Sequence, residues 1–312
     1  MEKVKAEVVT HYRSELVEHL RANGCTFAYG DTGIWLAKEF GFCYGVERAI
    51  DLAYAARRHF PKEQPVYILG EIIHNPHVNE QIRNMGLTFL SGGHQAASID
   101  DLGEDDPVVI PAFGTEVGVT DLLNERGCTI IDATCGDVMS VWKRVRQNAR
   151  DQVTSIIHGK AWHEETKATS SQAKAFENGH YLVVFDLDDT DYVCRYITQD
   201  GDREAFLKKF EGATSDGFDP DKHLAAIGLA NQTTMLRGET EEVQHRLKSA
   251  MAKKHGEDAI AKHFRYFDTI CGATQDRQDA LRDLLNRPMD LLLVVGGYNS
   301  SNTSHLAEMG EE

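Results

Sequence analysis

From residue 34 onward, short apolar runs alternate with amphipathic helical ones, and that alternation constrains the fold more than any other feature of the chain. The runs are Val66-Tyr67-Ile68-Leu69, then residues 108–110, 129–131, 155–157, 181–185, 225–229 and 291–295. Strands that are apolar on both faces and separated by helices form parallel sheets covered on both sides. The expectation is therefore an α/β protein. A polar stretch at about 200–221, with Gly201, Gly212, Gly217 and Pro220, predicts an inserted connection. Residues 239–262 predict a solvated amphipathic helix or helix pair. Ahead of the alternation, one amphipathic helix over 11–23, closed by Gly24, predicts an N-terminal appendage over residues 1–33.

One junction recurs. Asp132-Ala133-Thr134-Cys135-Gly136 and Asp268-Thr269-Ile270-Cys271-Gly272 each follow an apolar run and lead into a helix, and Gly41-Phe42-Cys43-Tyr44-Gly45 is a third variant. The three cysteines are 92 and 136 residues apart, room enough for each junction to open its own α/β lobe. The predicted architecture is three-lobed and trefoil-like, with lobes over 34–132, 133–268 and 269–312 meeting at the cysteines. A thiol at a helix N-terminus faces the positive end of the helix dipole, which favours the thiolate that binds metal or attacks an electrophile. Three thiolates from separate lobes suit a 4Fe-4S cluster with one iron left open for substrate, whereas four close it. The competing reading of any single cysteine is a small buried hydrophobe, and Cys25, Cys128 and Cys194, which lack the junction, are assigned to it.

Composition narrows the class. A chain of 312 residues with 41% hydrophobic residues, 26% charged and 7 Pro predicts two or three globular domains. Its 33 basic against 49 acidic side chains leave a net charge of −16, a field that repels nucleic acid and anionic membranes. No apolar run approaches the roughly 18 residues of a membrane span, and the N-terminus reads as neither signal nor anchor. The cytoplasm is the expected compartment, and six cysteines there read as thiols or ligands rather than disulfides.

Four further clusters follow strands, where ligand sites of parallel sheets collect. In the segment containing Glu71, His74, Pro76 and His77, the proline argues against a regular helical histidine pair; His74 is expected to donate to an anion, with an ordinary surface turn as the alternative. In residues 158–166, His163 and Glu165 can hold an anion and supply a proton, and the alternative is a helix start capped by acidic residues. Gly296, Gly297 and the Asn299-Ser300-Ser301-Asn302 row before a helix suit phosphate oxygens, against a plain N-cap. Residues 231–235 are a site turn or an ordinary one.

Taken in order, Gly41-Phe42-Cys43-Tyr44-Gly45-Val46-Glu47-Arg48-Ala49, His74-Asn75-Pro76, Asp132-Ala133-Thr134-Cys135, His163-Glu164-Glu165-Thr166, Gln232-Thr233-Thr234, Asp268-Thr269-Ile270-Cys271 and Asn299-Ser300-Ser301-Asn302 closely resemble the 4-hydroxy-3-methylbut-2-enyl diphosphate reductase (LytB/IspH) family. The wording around Cys43 and the N-terminal extension resemble its cyanobacterial and plant branch. The resemblance covers about residues 35–308. It implies that Cys43, Cys135 and Cys271 hold one 4Fe-4S cluster whose open iron takes the allylic hydroxyl of the substrate. It further implies a diphosphate pocket of His74, His163, Ser300, Ser301 and Asn302, and proton delivery by Glu165 and Thr233. Two electrons, from a donor such as ferredoxin or flavodoxin, and two protons then remove water to give isopentenyl and dimethylallyl diphosphate in the methylerythritol phosphate pathway.

Two departures from the family pattern stand out. Phe113 occupies the place where many bacterial relatives carry a histidine, so no diphosphate contact is expected there. The third lobe has 42 residues from Cys271 onward and no counterpart of a final strand with a Gly-Ala-Ser turn, so the sequence reads as a C-terminally shortened member. Weakened substrate binding and self-association through the apolar run 291–295 are the expected consequences. Two rival functions remain open: a zinc-dependent hydrolase using His74, His77, His158 and His163, and a non-catalytic fragment that keeps the fold.

Overall fold

The computed structural model describes residues 2–199, 201–267 and 269–311. Asp268, the first residue of the third cysteine motif, and Asp200, the first of the expected insertion, lie outside the described residues. The chain is α/β and divides into two compact units, one of Met1–Ala112, Glu125–Cys135 and Gly272–Glu312, the other of Phe113–Asn124 and Gly136–Cys271.

The first unit is built on a parallel sheet of β3 (Val66–Ile68), β4 (Leu87–Phe89), β5 (Pro107–Ile110) and β6 (Thr129–Asp132), in the order β4-β3-β5-β6. Its interior strands are apolar and buried, and the Tyr44–His59 helix lays Ala49, Ile50, Ala53 and Tyr54 onto them. That i, i+3, i+4 spacing is the stripe by which a helix covers a sheet. A separate antiparallel hairpin, β1 (Thr26–Tyr29) with β2 (Thr32–Trp35), precedes this sheet.

The N-terminal segment is not an appendage. Its helical pattern resolves into two helices, Glu2–Tyr12 and Glu15–Ala22, separated where Ser14 accepts a hydrogen bond from the Val17 N–H and caps the second. Val4 is buried in the core of the first unit, and His11 Nδ1 lies 2.7 Å from the Tyr54 hydroxyl. A serine that caps a new helix interrupts the single one that the periodicity suggests.

The second unit holds β7 (Thr154–His158), β8 (Tyr181–Val184), β9 (Ile227–Asn231) and β10 (Phe264–Tyr266), parallel in the order β10-β9-β7-β8. Phe206, Phe210 and Phe218, from the stretch expected to be a mere connection, fill its core, and Arg203–Lys209 within it is a helix. The expected solvated helix is Arg237–His255, and its Val243, Leu247 and Met251 are fully buried. Its charged residues mask a narrow apolar stripe, which is why a reading by overall polarity places it in solvent.

Residues 291–295 form no strand. None of them makes a ladder hydrogen bond among the described residues, although exposure alternates as in an extended chain, with Leu291, Leu293 and Val295 73%, 75% and 93% exposed. An apolar run becomes a strand only when a neighbour pairs with it. The helix that follows, Ser301–Glu311, does form. Among the described residues no helix is long and apolar enough to cross a membrane.

Candidate functional site

All three motif cysteines sit immediately before a helix: Cys43 before Tyr44–His59, Cys135 before Gly136–Arg150 and Cys271 before Gly272–Leu285. In the first unit, two of these thiols come close together. A side chain at Gly45 would overlap the Cys135 sulfur and begin 3.9 Å from the Cys43 sulfur, so the missing Cβ is what lets the Cys135 sulfur pack against Gly45 with the Cys43 sulfur near the same point. The Cys135 N–H donates to Ala112 O at 2.8 Å, which carries the parallel arrangement of β5 and β6 up to the thiol itself. Both cysteines are half-buried.

The other cysteines have different surroundings. Burial, with Asp191 nearby, pushes the Cys194 thiol up to about 12, and burial also raises Cys128. Thiols held protonated in this way are poor metal ligands and poor nucleophiles.

The same unit places His74 beside the Ser300 turn. A Cβ at Gly297 would overlap the His74 carbonyl oxygen, so glycine is what permits the two loops to touch. His74 Nδ1 lies 2.9 Å from Glu71 Oε2, which orients the ring. Glu71 has no role in the motif itself, and its place three residues ahead of His74 is the signal that marks it. Ser300 caps the Ser301–Glu311 helix by accepting from the Thr303 N–H at 3.3 Å. The capping and ligand readings of this row are therefore compatible. Ser301 is 5% exposed, and its hydroxyl has no hydrogen-bond partner among the described residues, a costly state unless something else supplies one.

In the second unit, the ends of β7 and β9 bring together Glu165, Thr233 and the backbone of Cys271. Glu165 Oε1 accepts from the Thr233 N–H at 2.6 Å, with both residues buried, and the Cys271 N–H donates to Thr233 O at 3.4 Å. His163 caps the Glu164–Ser171 helix, its Nδ1 accepting from the Glu165 N–H at 3.1 Å. Phe113 stands edge-on to the His163 ring, with centroids 6.5 Å apart.

Gln232 is a site residue to which the motifs assign no role. Fully buried, it accepts through Oε1 from the Lys160 N–H and the Thr166 hydroxyl, both at 3.1 Å, and so ties the two loops that carry Glu165 and Thr233. Thr269 donates to Asn231 Oδ1, tying the approach to Cys271 onto the end of β9. His158, a ligand in the rival zinc reading, lies wholly inside this unit with Nδ1 2.8 Å from the Thr240 hydroxyl and Nε2 3.8 Å from Glu239. His77 packs edge-on against Tyr12.

A family model described as LytB protein matches residues 34–312 of the chain. The chain belongs to the LytB family. Among curated relatives, the 4-hydroxy-3-methylbut-2-enyl diphosphate reductase of Thermosynechococcus vestitus is 50% identical over 311 residues, which is 100% of this chain and 76% of the relative. The enzyme of the same name from Prochlorococcus marinus is 50% identical over 298 residues, 96% of this chain and 72% of its own. These LytB relatives are cyanobacterial, as the wording around Cys43 suggested. A solved structure of (E)-4-hydroxy-3-methyl-but-2-enyl diphosphate reductase, the terminal enzyme of the non-mevalonate pathway, matches with TM-score 0.58 and 27% identity over 88% of this chain and 80% of that one. The E-1-hydroxy-2-methyl-but-2-enyl-4-diphosphate reductase of Plasmodium falciparum matches with TM-score 0.65 over 87% of this chain and 70% of that one; at 23% identity that likeness shows the shared α/β fold. LytB membership gives the zinc-hydrolase reading no support.

Proposed function

We propose that this LytB chain catalyses the reductive dehydroxylation of 4-hydroxy-3-methylbut-2-enyl diphosphate, on one 4Fe-4S cluster held by Cys43, Cys135 and Cys271. The observation that supports the reading is the approach of the Cys43 and Cys135 sulfurs to one point at Gly45, the first 3.9 Å from where a Cβ would stand and the second overlapping it. Two thiols at helix starts so close together fit a cluster's donor set, and the third repeat of the junction supplies Cys271. When bound, the cluster supplies the electrons and an open iron toward the substrate hydroxyl.

The remaining steps belong to the chain's own groups. The diphosphate is held by His74, oriented by Glu71, and by Ser300, Ser301 and Asn302 at the start of the Ser301–Glu311 helix, where backbone N–H groups and the dipole favour anions. The buried Ser301 hydroxyl finds its partner in a phosphate oxygen. His163 adds a further polar contact. Glu165, protonated, gives its proton to the departing hydroxyl, and Thr233 steadies the carboxyl through the 2.6 Å bond from its N–H. Two electrons and two protons are consumed; the C–O bond breaks, one proton leaves in water and the other enters the allylic carbon skeleton, giving isopentenyl or dimethylallyl diphosphate.

The electrons come from a soluble one-electron carrier such as ferredoxin or flavodoxin. We place the reaction in the cytosol, where free thiols persist.

The test is iron content after anaerobic reconstitution of six single Cys→Ser variants. Serine is a poorer ligand to such clusters than a thiolate, so Cys43→Ser, Cys135→Ser and Cys271→Ser lose the cluster while Cys25→Ser, Cys128→Ser and Cys194→Ser keep it. Equal retention or equal loss across the six would overturn the ligand assignment.

A further inference from the structure

Two arginines tie the turns that carry Cys43 and Cys135 through backbone carbonyls, one at each turn. Arg48, in the second turn of the Tyr44–His59 helix, donates from Nη1 to Thr134 O at 3.1 Å and from Nη2 to Asp132 O at 3.4 Å. These are the carbonyls of the turn that ends in Cys135. Arg277, on the helix that follows Cys271 in the chain, donates from Nη1 to Ala273 O and from Nη2 to Gly41 O, each at 2.7 Å. Gly41 lies two residues before Cys43 with φ +84°, a conformation that other residues adopt only under strain, so its carbonyl direction is a fixed feature of the loop.

In both cases one guanidinium bridges two backbone acceptors, a task suited to its planar fork and not to a lysine ammonium. Among the described residues neither arginine is in an ion pair. Each therefore brings a positive charge, with no carboxylate within 4 Å among the described residues, to a turn that ends in a thiol. Arg58 and Arg126 of the same unit are in ion pairs, with Glu7 and Asp100, whereas Arg57 bonds backbone carbonyls as Arg48 and Arg277 do but away from the cysteines.

We infer that Arg48 and Arg277 are positioning residues of the cluster site: Arg48 fixes the Cys135 turn against the helix that starts at Cys43, Arg277 fixes the turn before Cys43, and their charges favour the cluster's reduced, more negative state. The inference rests on the cluster reading given above. Their removal has two separable effects. Losing the fork loosens the turns and speeds cluster loss; losing the charge lowers the reduction potential, since a nearby cation stabilises the added electron.

The experiment uses the full chain, reconstituted anaerobically, as wild type and as Arg48→Gln, Arg48→Lys, Arg277→Gln and Arg277→Lys. Arg57→Gln is the control: Arg57 lies on the same helix as Arg48 and bonds the carbonyls of Phe60, Pro61 and Gln64, away from the cysteines. Three quantities are read: the rate of iron loss to a chelator, the midpoint potential by redox titration, and, in the metal-free chain, the rate of Cys43–Cys135 disulfide formation, mapped by mass spectrometry.

The expected result is iron loss about tenfold faster in all four variants, the usual scale for losing an outer-shell partner. The potential falls in the Gln variants and is retained in the Lys variants, disulfide formation slows in the metal-free Arg48 variants, and Arg57→Gln stays at wild type. Wild-type values for all three quantities in the four variants would overturn the inference, as would an equal effect of Arg57→Gln. A wild-type chain that takes up no iron would instead overturn the cluster reading, and the disulfide rate would still report whether Arg48 positions the two thiols. Unfolding of a Gln variant is detected by circular dichroism, and the Lys variants, which keep the charge and most of the volume, then decide.

Discussion

Two turns at the ends of parallel strands are built from opposite materials. The turn that bears Cys135 follows β6, an edge strand whose residues are exposed or half-buried throughout. The turn that bears Glu165 follows β7, an interior strand buried along its whole length. An edge leaves room beside the last residue, and the chain uses that room for a half-buried thiol and a missing Cβ at Gly45, with ties from Arg48 to backbone carbonyls and from the Thr134 N–H to Asp132 Oδ1. An interior position removes water from every side, so each polar group must be satisfied by a neighbour. The chain meets that demand with side chains that accept: Gln232 from the Lys160 N–H and the Thr166 hydroxyl, and Glu165 from the Thr233 N–H. In the proposed reading, the edge turn carries a ligand of the cluster and the interior turn carries the proton donor.

The most severe way to break the contrast is to push the Cys135 sulfur off Gly45. Gly45→Ala adds one methyl in the first turn of the Tyr44–His59 helix, a position that alanine's backbone preferences suit. That methyl would overlap the Cys135 sulfur. The expected outcome is a chain that stays folded yet binds almost no iron after reconstitution, checked by iron analysis beside a thermal melt. Full iron occupancy in a folded Gly45→Ala chain would mean that cluster binding does not need the Cys135 sulfur against Gly45.

The interior turn breaks differently. Glu165→Gln preserves shape and can still accept from the Thr233 N–H, but carries no transferable proton. Iron content should equal wild type while turnover under a strong artificial reductant falls by about 10²–10⁴, the usual contribution of a positioned acid. A variant that kept near-normal turnover at saturating substrate would remove Glu165 from the role of proton donor.

That division also separates what is legible in the amino-acid sequence from what is not. The alternation of apolar runs gives the parallel sheets, and the repeated strand-to-cysteine-to-helix junction locates three thiols at helix starts, because both depend on local sequence. Residues 291–295 are as apolar as β7, yet only β7 has neighbours to pair with, and pairing is not encoded within the run. Gln232 and Arg48 escape for a related reason. Their partners lie 66 to 86 residues away in sequence, and nothing in a glutamine or an arginine announces which distant carbonyl or N–H it will meet. Val4 and His11 look like solvent-side helix residues until Tyr54 is seen beneath them.

A milder change sharpens the role of the interior network. Gln232→Leu keeps volume but leaves the Lys160 N–H and the Thr166 hydroxyl without their shared acceptor, at a cost of about 1–3 kcal/mol each where no water reaches them. A drop of the melting midpoint with iron content preserved is expected, together with a loss of turnover smaller than that of Glu165→Gln. Unchanged stability would show that the two loops are held by their backbones alone.

The smallest expected effect lies at the far edge of the same sheet, in stability. His180, just before β8, stacks on His223 with ring centroids 3.5 Å apart beside a cleft of about 480 Å³. His223 Nδ1 accepts from the Asp219 N–H at 2.9 Å, and His180 Nδ1 lies 2.9 Å from the Ser215 hydroxyl. Burial holds both rings below the ordinary 6.5, and for His223 the neighbouring imidazole adds to the effect. Arg203, Lys222, Asp216 and Asp219 also face the cleft, and Asp219 is already committed to Arg203 and Lys222. A base whose folded-state pKa is depressed binds its proton more readily when unfolded, so its contribution to stability is whole above about pH 6.5 and declines as pH falls below it. Denaturant midpoints of the wild type should therefore decrease below pH 6.5 more steeply than those of His180→Asn/His223→Asn, while iron content at neutral pH is the same in both. Parallel pH profiles would show that the stacked pair titrates as in solution, and a change in iron content would extend the influence of this edge to the cysteine site.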